Sequence, residues 1–335
     1  MRSPLLLPLL GLLLCALPVH AQDLHNSQFY LNPLHLNPGA TGVFDGEWRV
    51  SGLYRSQWRS VPVGYRTYAA AADWKALQRG KSLFSAGLLL QNDEAGDAQL
   101  AWSQGGISVA AAHALSKTSM LSLGFGFSGL QRKADIGNLR FKNQWTNDGF
   151  DPLAPSREPF GASSGLSASL SAGLVWHYQD NETRHRLTAG LGAFHLNRPV
   201  VSLGGADRAK TPLRTALFAQ GAYELREQAD LIGFMLVQTA KSAKEIVIGA
   251  GMRQILTTGL ANHSAAQLTF AARWGDALIP ALQFERNNWT LGLSYDWNIS
   301  RFDEATDGRG GIEIAVIWRV VPVPVTKTVK CCPVF

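Results

Sequence analysis

The segment that decides the fold runs from Trp289 to Ile299 and is Trp-Thr-Leu-Gly-Leu-Ser-Tyr-Asp-Trp-Asn-Ile. Large apolar residues occupy every second position, with small or polar residues between them. A period of two predicts a β-strand with one apolar and one polar face. A strand of this length can cross a bilayer at a tilt, whereas strands of soluble proteins are on average about half as long. Trp289 and Trp297 lie near the ends of the apolar face, where transmembrane barrels place aromatic girdles.

The same alternation recurs along most of the chain. It predicts an all-β fold, a transmembrane antiparallel β-barrel of about 14 strands within residues 46–321. An even number of strands is usual in bacterial barrels and brings both barrel ends to one side, which we expect to be the periplasm. The predicted strands lie near 46–58, 64–77, 81–92, 100–115, 118–131, 164–179, 184–196, 213–226, 229–240, 243–256, 265–275, 277–286, 288–300 and 310–321.

The connections between these strands test the map, because barrels have short periplasmic turns and long outer loops. The predicted long connections, 132–163, 197–212 and 301–309, all fall on the outer side. The tight ones, among them 78–80 and 286–288, fall on the inner side. The predicted connection 257–264 is an exception, since it is long for the inner side.

The two ends of the chain lie outside the predicted barrel. Residues 1–21 have a short apolar core followed by Val19-His20-Ala21, which predicts a signal peptide cleaved after Ala21. Residues 22–45 form an N-terminal extended segment, and 322–335 a periplasmic tail. Only Cys331 and Cys332 remain after cleavage, and a bridge between neighbours closes almost no loop. We expect no cofactor and no metal, because the usual Cys/His spacings are absent.

The distribution of basic residues and of histidines gives little support for nucleic-acid binding or for catalysis. The net charge is +6, but the basic residues are scattered, so we expect no nucleic-acid partner and only contact with outer-membrane lipid. We expect no enzyme, although His177 beside serines leaves a phospholipase-like hydrolase as a weak alternative.

Five charged residues are predicted to face the lumen. They form either a selectivity constriction or a paired network, and pairing is favoured because a lone buried charge is costly. These residues are Arg55, Asp73, Asp296, Glu313 and Arg319.

The N-terminal segment has a distinctive motif. Residues 28–38 contain two Asn-Pro steps, at Asn32-Pro33 and Asn37-Pro38, together with aromatic and leucine side chains. Each proline keeps its predecessor out of the helix, and Asn-Pro favours turns. We expect an extended segment with turns that lies either inside the barrel or across its periplasmic mouth.

These residues begin a resemblance that covers essentially the whole mature chain. The sequence resembles the PorP/SprF proteins of Bacteroidetes-type bacteria, with Gly39 where the family more often has Ala and with Cys331 as an additional thiol. The residues that carry the resemblance are 27–33, 37–42, 54–58, 67–73, 139–144, 149–151, 295–300, 310–314 and 332–335.

The resemblance implies an outer-membrane component of the type IX secretion system. Such a protein helps to export or anchor cargo with C-terminal sorting domains, in some cases for gliding motility. Its implied partners are that cargo and periplasmic ring or peptidoglycan-binding lipoproteins. A passive pore or lipophile transporter is the alternative. The residues predicted to bind partners are Gln28, Phe29, Tyr30, Asn32, Pro33, Asn37, Pro38, Cys332, Pro333 and Phe335.

Overall fold

Fourteen antiparallel strands close into one barrel. The computed structural model describes residues 26–57, 64–96, 99–135, 139–146, 149–155, 157, 164–201, 210–241, 243–259, 262–300 and 308–321. The barrel strands are β1 (Trp48–Gln57), β2 (Tyr65–Arg79), β3 (Ser82–Ala95), β4 (Leu100–Ala114), β5 (Ser119–Lys133), β8 (Ser164–Gln179), β9 (Arg186–Phe194), β10 (Arg214–Arg226), β11 (Ala229–Ala240), β12 (Ala243–Gly259), β13 (Asn262–Arg273), β14 (Ala277–Arg286), β15 (Trp289–Asn298) and β16 (Arg309–Val320). Two short strands, β6 (Trp145–Thr146) and β7 (Gly149–Phe150), form a separate two-stranded sheet.

Each barrel strand pairs with its neighbours along the chain, and the first strand pairs with the last. β1 joins β2 on one side and β16 on the other, with Trp48 opposite both Trp74 and Val320. Closure leaves the sheet without an unpaired edge. The predicted fold class is therefore confirmed.

The barrel has two different ends. We call the end that carries the connections 134–163, 195–213 and 299–308 the long-connection end, and the opposite one the short-turn end.

The predicted exception at 257–264 is wrong. β12 runs to Gly259 and β13 begins at Asn262, so the connection has two residues. The polar ends of these strands lack apolar alternation, but Thr258 still pairs with His263.

The outer face is apolar, and the inner face combines polar side chains with an apolar patch that includes Phe218, Phe234 and Val247. The outward side chains of Leu90 and Phe270, which lie within β3 and β13 and not at their ends, are each 63% exposed. Aromatic residues lie toward both ends, with Trp48 stacked on Trp74 at the short-turn end and Trp297 near the other. No helix within the described ranges is long and apolar enough to cross a membrane.

The lumen contains the residues that precede β1. Residues 26–45, here called the lumen segment, have two 3-10 turns, Phe29–Leu31 and Pro38–Ala40, and between them the one-turn helix α1 (Pro33–Leu36). Both prolines begin a helical turn, where the missing amide hydrogen costs no hydrogen bond. The expectation that this segment could lie inside the barrel is confirmed. Its buried apolar side chains, Phe29, Leu31, Leu34, Leu36 and Ala40, pack against the inner wall.

Candidate functional site

The lumen segment passes from the long-connection half of the barrel to the short-turn end. Its first contacts, at Ser27 and Gln28, are with Asp296 and Glu313. Asp296 lies two residues before the end of β15, on the long-connection side. The last residues of the segment lead into β1 at Trp48, at the short-turn end. The segment therefore connects the two halves of the lumen.

Five buried charged side chains near Ser27 make up what we call the charge network. Asp296 accepts hydrogen bonds from Arg55 and from Arg273, the latter at 2.9 Å. Arg273 also binds Glu245, with Nε and Oε1 3.1 Å apart. Ser27 enters this network directly, because its hydroxyl donates to Asp296 at 2.6 Å and accepts from Arg273 at 2.6 Å. The members of the charge network are Arg55, Glu245, Arg273, Asp296 and Glu313.

Glu313 binds the main chain of the segment. Its carboxylate accepts from the Ser27 amide at 2.8 Å and from the Gln28 amide at 2.6 Å. The Gln28 side chain donates to the Glu313 carbonyl at 3.1 Å. Hydrogen bonds to an ionised acceptor are about twice as strong as neutral ones, so this carboxylate is the main polar anchor at the start of the segment.

Asn37 anchors the middle of the segment. Its side-chain nitrogen donates to the Leu174 carbonyl at 3.2 Å, and its oxygen accepts from the Gly39 amide at 2.7 Å. Gly173 lies against this side chain, and a Cβ there would overlap Asn37 Oδ1. Gly124 faces Pro38 in the same way. The segment fits because the wall has glycine at these points of close approach.

His35 is buried beside the wall. Nε2 lies 3.2 Å from the Leu90 carbonyl, and Nδ1 lies 2.6 Å from the side-chain amide of Asn32. Burial lowers the pKa of His35 from 6.5 to about 4; the Leu90 hydrogen bond opposes the shift and the Arg214 charge adds to it. A neutral ring donates once, so we assign the Asn32 amide nitrogen as donor to Nδ1. This orientation also gives a partner to that nitrogen, which otherwise has none.

A second ion pair holds the segment near the short-turn end. Asp73 accepts from the Gly42 amide at 2.7 Å and from Arg49 Nε at 2.9 Å. Arg49 also donates to the Ala40 carbonyl at 3.0 Å. Both members of this ion pair therefore bind the backbone of the lumen segment, Asp73 at the Gly42 amide and Arg49 at the Ala40 carbonyl.

The residues predicted to bind partners lie in two places. Within the lumen segment, Pro33 and Tyr30 are partly buried. The remaining residues of this set are buried against the wall: Gln28, Phe29, Asn32, Asn37 and Pro38. The tail residues fall outside the described part of the chain, namely Cys332, Pro333 and Phe335. Partner binding by either group remains a prediction.

The lumen charges form pairs, as the sequence favoured. Asp73 pairs with Arg49, and Asp296 pairs with Arg55, which also lies 3.8 Å from Glu313. Arg319 is the exception, since it binds only the Thr290 hydroxyl, at 3.4 Å, within the described residues. Arg49 and Arg273 are not among the charges predicted to face the lumen, although both occupy inward positions of predicted strands and could have been located from strand parity.

His177 is part of the lumen wall. Its Nδ1 lies 2.8 Å from the Thr188 hydroxyl, so its hydrogen-bond partner is a threonine of β9 and not a serine nucleophile. Across the described ranges, no group of three or more His, Cys, Asp or Glu side chains is arranged to hold a metal ion.

A cavity of about 210 Å³ lies below the lumen segment at the short-turn end, and we call it the vestibule. Tyr30 and Phe44 of the segment line it. Burial raises the pKa of Tyr30 to about 12, with a hydrogen bond to Thr269 opposing the shift and the Glu313 charge adding to it. The wall contributes mainly polar side chains: Arg49, His177, Gln179, Arg186, Thr188, Gln220, Gln267, Gln283, Glu285, Thr290 and Arg319.

The longest connection presents aromatic side chains at the opposite end. Trp145 of β6 is 57% exposed, and its ring centroid lies 5.6 Å from that of Phe150 in β7. The Arg140 guanidinium lies over the Phe150 ring at 4.9 Å. Exposed aromatic groups with an arginine beside them are the residue types that interfaces favour.

The family comparison fits this barrel and its lumen segment. The sequence model of the type IX secretion system membrane protein PorP/SprF matches residues 19–316. The chain belongs to the PorP/SprF family. This PorP/SprF protein is thus a membrane component of the type IX secretion system, and it lies in the outer membrane. The predicted family and location are confirmed. No curated protein matches the chain.

Solved structures similar to this PorP/SprF protein include a toluene transporter, an autotransporter translocator domain and a FadL homologue. The Ralstonia pickettii toluene transporter TbuX shares 11% identity at a TM-score of 0.49, over 87% of this chain and 94% of its own. The translocator domain of the autotransporter NalP from Neisseria meningitidis shares 12% at 0.43, over 88% and 95%. A Pseudomonas aeruginosa FadL homologue shares 8% at 0.41, over 84% and 92%. At such values none of them bears on what this chain binds.

Proposed function

We propose that this PorP/SprF barrel helps to export or anchor sorting-domain cargo at the cell surface, including adhesins of gliding cells, and that it does so as a scaffold. The observation that supports this role is the family match over residues 19–316. In the proposed arrangement the outer connection 132–163 meets the cargo. The lumen segment and the tail 322–335 connect the barrel to periplasmic ring or peptidoglycan-binding lipoproteins.

The position of the lumen segment favours a scaffold over a passive pore or lipophile transporter. A pore needs a continuous open lumen, whereas the segment contacts inward residues on several sides of this barrel. Ser27 meets β15, Thr41 meets β4, and Asn37 meets β8. These contacts cross the middle of the lumen, so passage through the barrel would require the segment to leave.

The proposal is tested by a crosslinked pull-down of the tagged protein from its native outer membrane, with identification by mass spectrometry. We expect a sorting-domain cargo together with periplasmic ring or peptidoglycan-binding proteins. Recovery of the barrel alone would reject the scaffold role. Single-channel conductance of the purified protein is the companion measurement, and a steady open conductance would support the pore.

A separate double variant tests the proposed contact between the long connection and the cargo. The double substitution Trp145→Ala and Phe150→Ala removes the exposed Trp145 and its partly buried neighbour Phe150 from the long connection without changing a residue of the barrel wall. We expect normal barrel levels with reduced cargo recovery. The matched control is Trp48→Ala with Trp74→Ala, a stacked pair at the short-turn end. Equal cargo recovery from the two double variants would remove the connection from the proposed interface.

A further inference from the structure

We propose that the vestibule is a binding site for an acidic peptide segment of a periplasmic protein, with Arg186 and Arg319 as the groups that bind its carboxylates. Both arginines line the cavity at the short-turn end. The inference deepens the proposed function, since it specifies the chemistry by which a periplasmic partner is held.

The first step is the charge balance of the cavity. Arg49 is paired with Asp73, and Glu285 is paired with Arg253 at 2.6 Å. Within the described part of the chain, Arg186 pairs with no carboxylate, and neither does Arg319. The remaining acidic group of the lining is Asp45, which is exposed; its charge acts on Arg186, and that of Glu285 acts on Arg186 and Arg319, but none of these pairs forms an ion-pair contact among the described residues. The vestibule therefore has two arginines whose charges are not matched by carboxylates in contact with them.

The second step is the accessibility of the arginines. Arg186 belongs to the first position of β9 and Arg319 to the last but one of β16, so both are close to the short-turn end. Arg186 is exposed and Arg319 is partly exposed, although both face the lumen. A ligand that enters from this end meets them together with Phe44 and Asp45 at the end of the lumen segment. Their guanidinium groups match carboxylates in planar, bidentate pairs.

The third step is the remainder of the lining, which favours a peptide over a simple anion. Four glutamines, Gln179, Gln220, Gln267 and Gln283, project into the cavity. Each amide both donates and accepts, as a peptide backbone requires. A peptide backbone repeats one N–H donor and one C=O acceptor at every residue and can therefore pair with several glutamine amides at once, which a single phosphate ion cannot.

The experiment measures binding of a six-residue Glu-Asp peptide, blocked at both ends and carrying an uncharged dye, to the full-length purified protein in neutral detergent. Fluorescence anisotropy gives the affinity. The comparison probes are a Gln-Asn peptide of equal length and inorganic phosphate as a competitor. We expect binding of the acidic peptide alone, weakened by salt because screening reduces charge attraction.

The variants are Arg186→Gln, Arg319→Gln and the double substitution. We expect affinity to fall about tenfold for each arginine removed, because hydrogen bonds to charged groups are the strong ones. The charge-matched control is Arg79→Gln with Arg286→Gln, two exposed arginines of the same end that do not line the cavity. Equal loss in the control would overturn the site, as would binding that the double variant retains. Phosphate binding without peptide binding would overturn the peptide assignment.

The outcomes separate this site from the proposed function. The binding assay contains no other component of the secretion system. Intact peptide binding with no cargo or periplasmic protein in the pull-down would refute the scaffold role and leave the site. A normal pull-down with no peptide binding would refute the site and leave the scaffold role.

Discussion

Replacement of Glu313 by glutamine gives the sharpest test of how the lumen segment is held. The Glu313 carboxylate accepts from two backbone amides, at 2.8 Å from Ser27 and 2.6 Å from Gln28. Glutamine keeps the volume but has one accepting oxygen, so its amide nitrogen would face one of these donors. A hydrogen bond to a charged group contributes about 1.5–3 kcal/mol, and an unmet buried donor costs about 1–3 kcal/mol.

We expect the variant to weaken docking at the start of the segment by about 3 kcal/mol, the upper limit of both ranges, because the lost hydrogen bond is buried and charged. The barrel should still close, because the backbone pairing of Glu313 with Ser294 and Arg55 needs no side chain. Each 1.4 kcal/mol is about a factor of ten, so local opening should become about a hundredfold more frequent.

Hydrogen exchange followed by mass spectrometry measures this opening at the Ser27 and Gln28 amides. The matched control is Glu285→Gln, which removes a buried wall carboxylate that binds Arg253 and does not contact the segment. Exchange should accelerate in Glu313→Gln alone. Unchanged exchange in that variant, or equal acceleration in the control, would refute the role assigned to Glu313.

Three further changes test other parts of the lumen. Burial lowers the pKa of His35 from 6.5 to about 4, so the neutral ring stabilises docking of the lumen segment in full above pH 6.5. This stabilisation is lost as the pH falls toward 4, and about 2 kcal/mol of it is lost at pH 5. The protection of residues 33–41, meaning how much more slowly they exchange than an unfolded chain at the same pH, should therefore fall between pH 7 and pH 5, and it should fall less in His35→Gln. Gly173→Val should displace the Asn37 side chain and weaken docking of the lumen segment by at least about 2 kcal/mol. Limited proteolysis should then cleave the segment in the variant but not in the wild type. Asp73→Asn should lower the free energy of unfolding in urea by about 3–5 kcal/mol, because Arg49 loses its buried partner; an unchanged midpoint would contradict this.

The strand pattern was predictable because the wall follows a simple rule. In Trp289 to Ile299 the bilayer selects apolar side chains at every outward position, and the lumen accepts small or polar ones. The rule fails where a strand extends beyond the apolar band. There Thr258 and His263 pair without any apolar alternation, so the sequence indicated a longer turn.

The contacts of the lumen were predictable only in kind. Asn32-Pro33 and Asn37-Pro38 indicate turns, because proline restricts its own and the preceding residue. They do not indicate that Asn37 would meet Leu174, since that contact depends on how 14 strands curve around the segment. The partner of a lumen charge is uncertain for the same reason, although its inward direction follows from strand parity.

The distribution of charge along the lumen gives the barrel two unlike ends. Toward the long connections, Asp296 and Glu313 use their acceptors on arginines of the wall and on the start of the segment. These two carboxylates are therefore engaged within the barrel. Toward the short turns, Arg186 and Arg319 lie in the vestibule without carboxylate partners among the described residues. The arginines without carboxylate partners therefore face the short-turn end, and the exposed Trp145 lies at the other. Two surfaces of different chemistry, separated by the occupied lumen, support the proposed scaffold role.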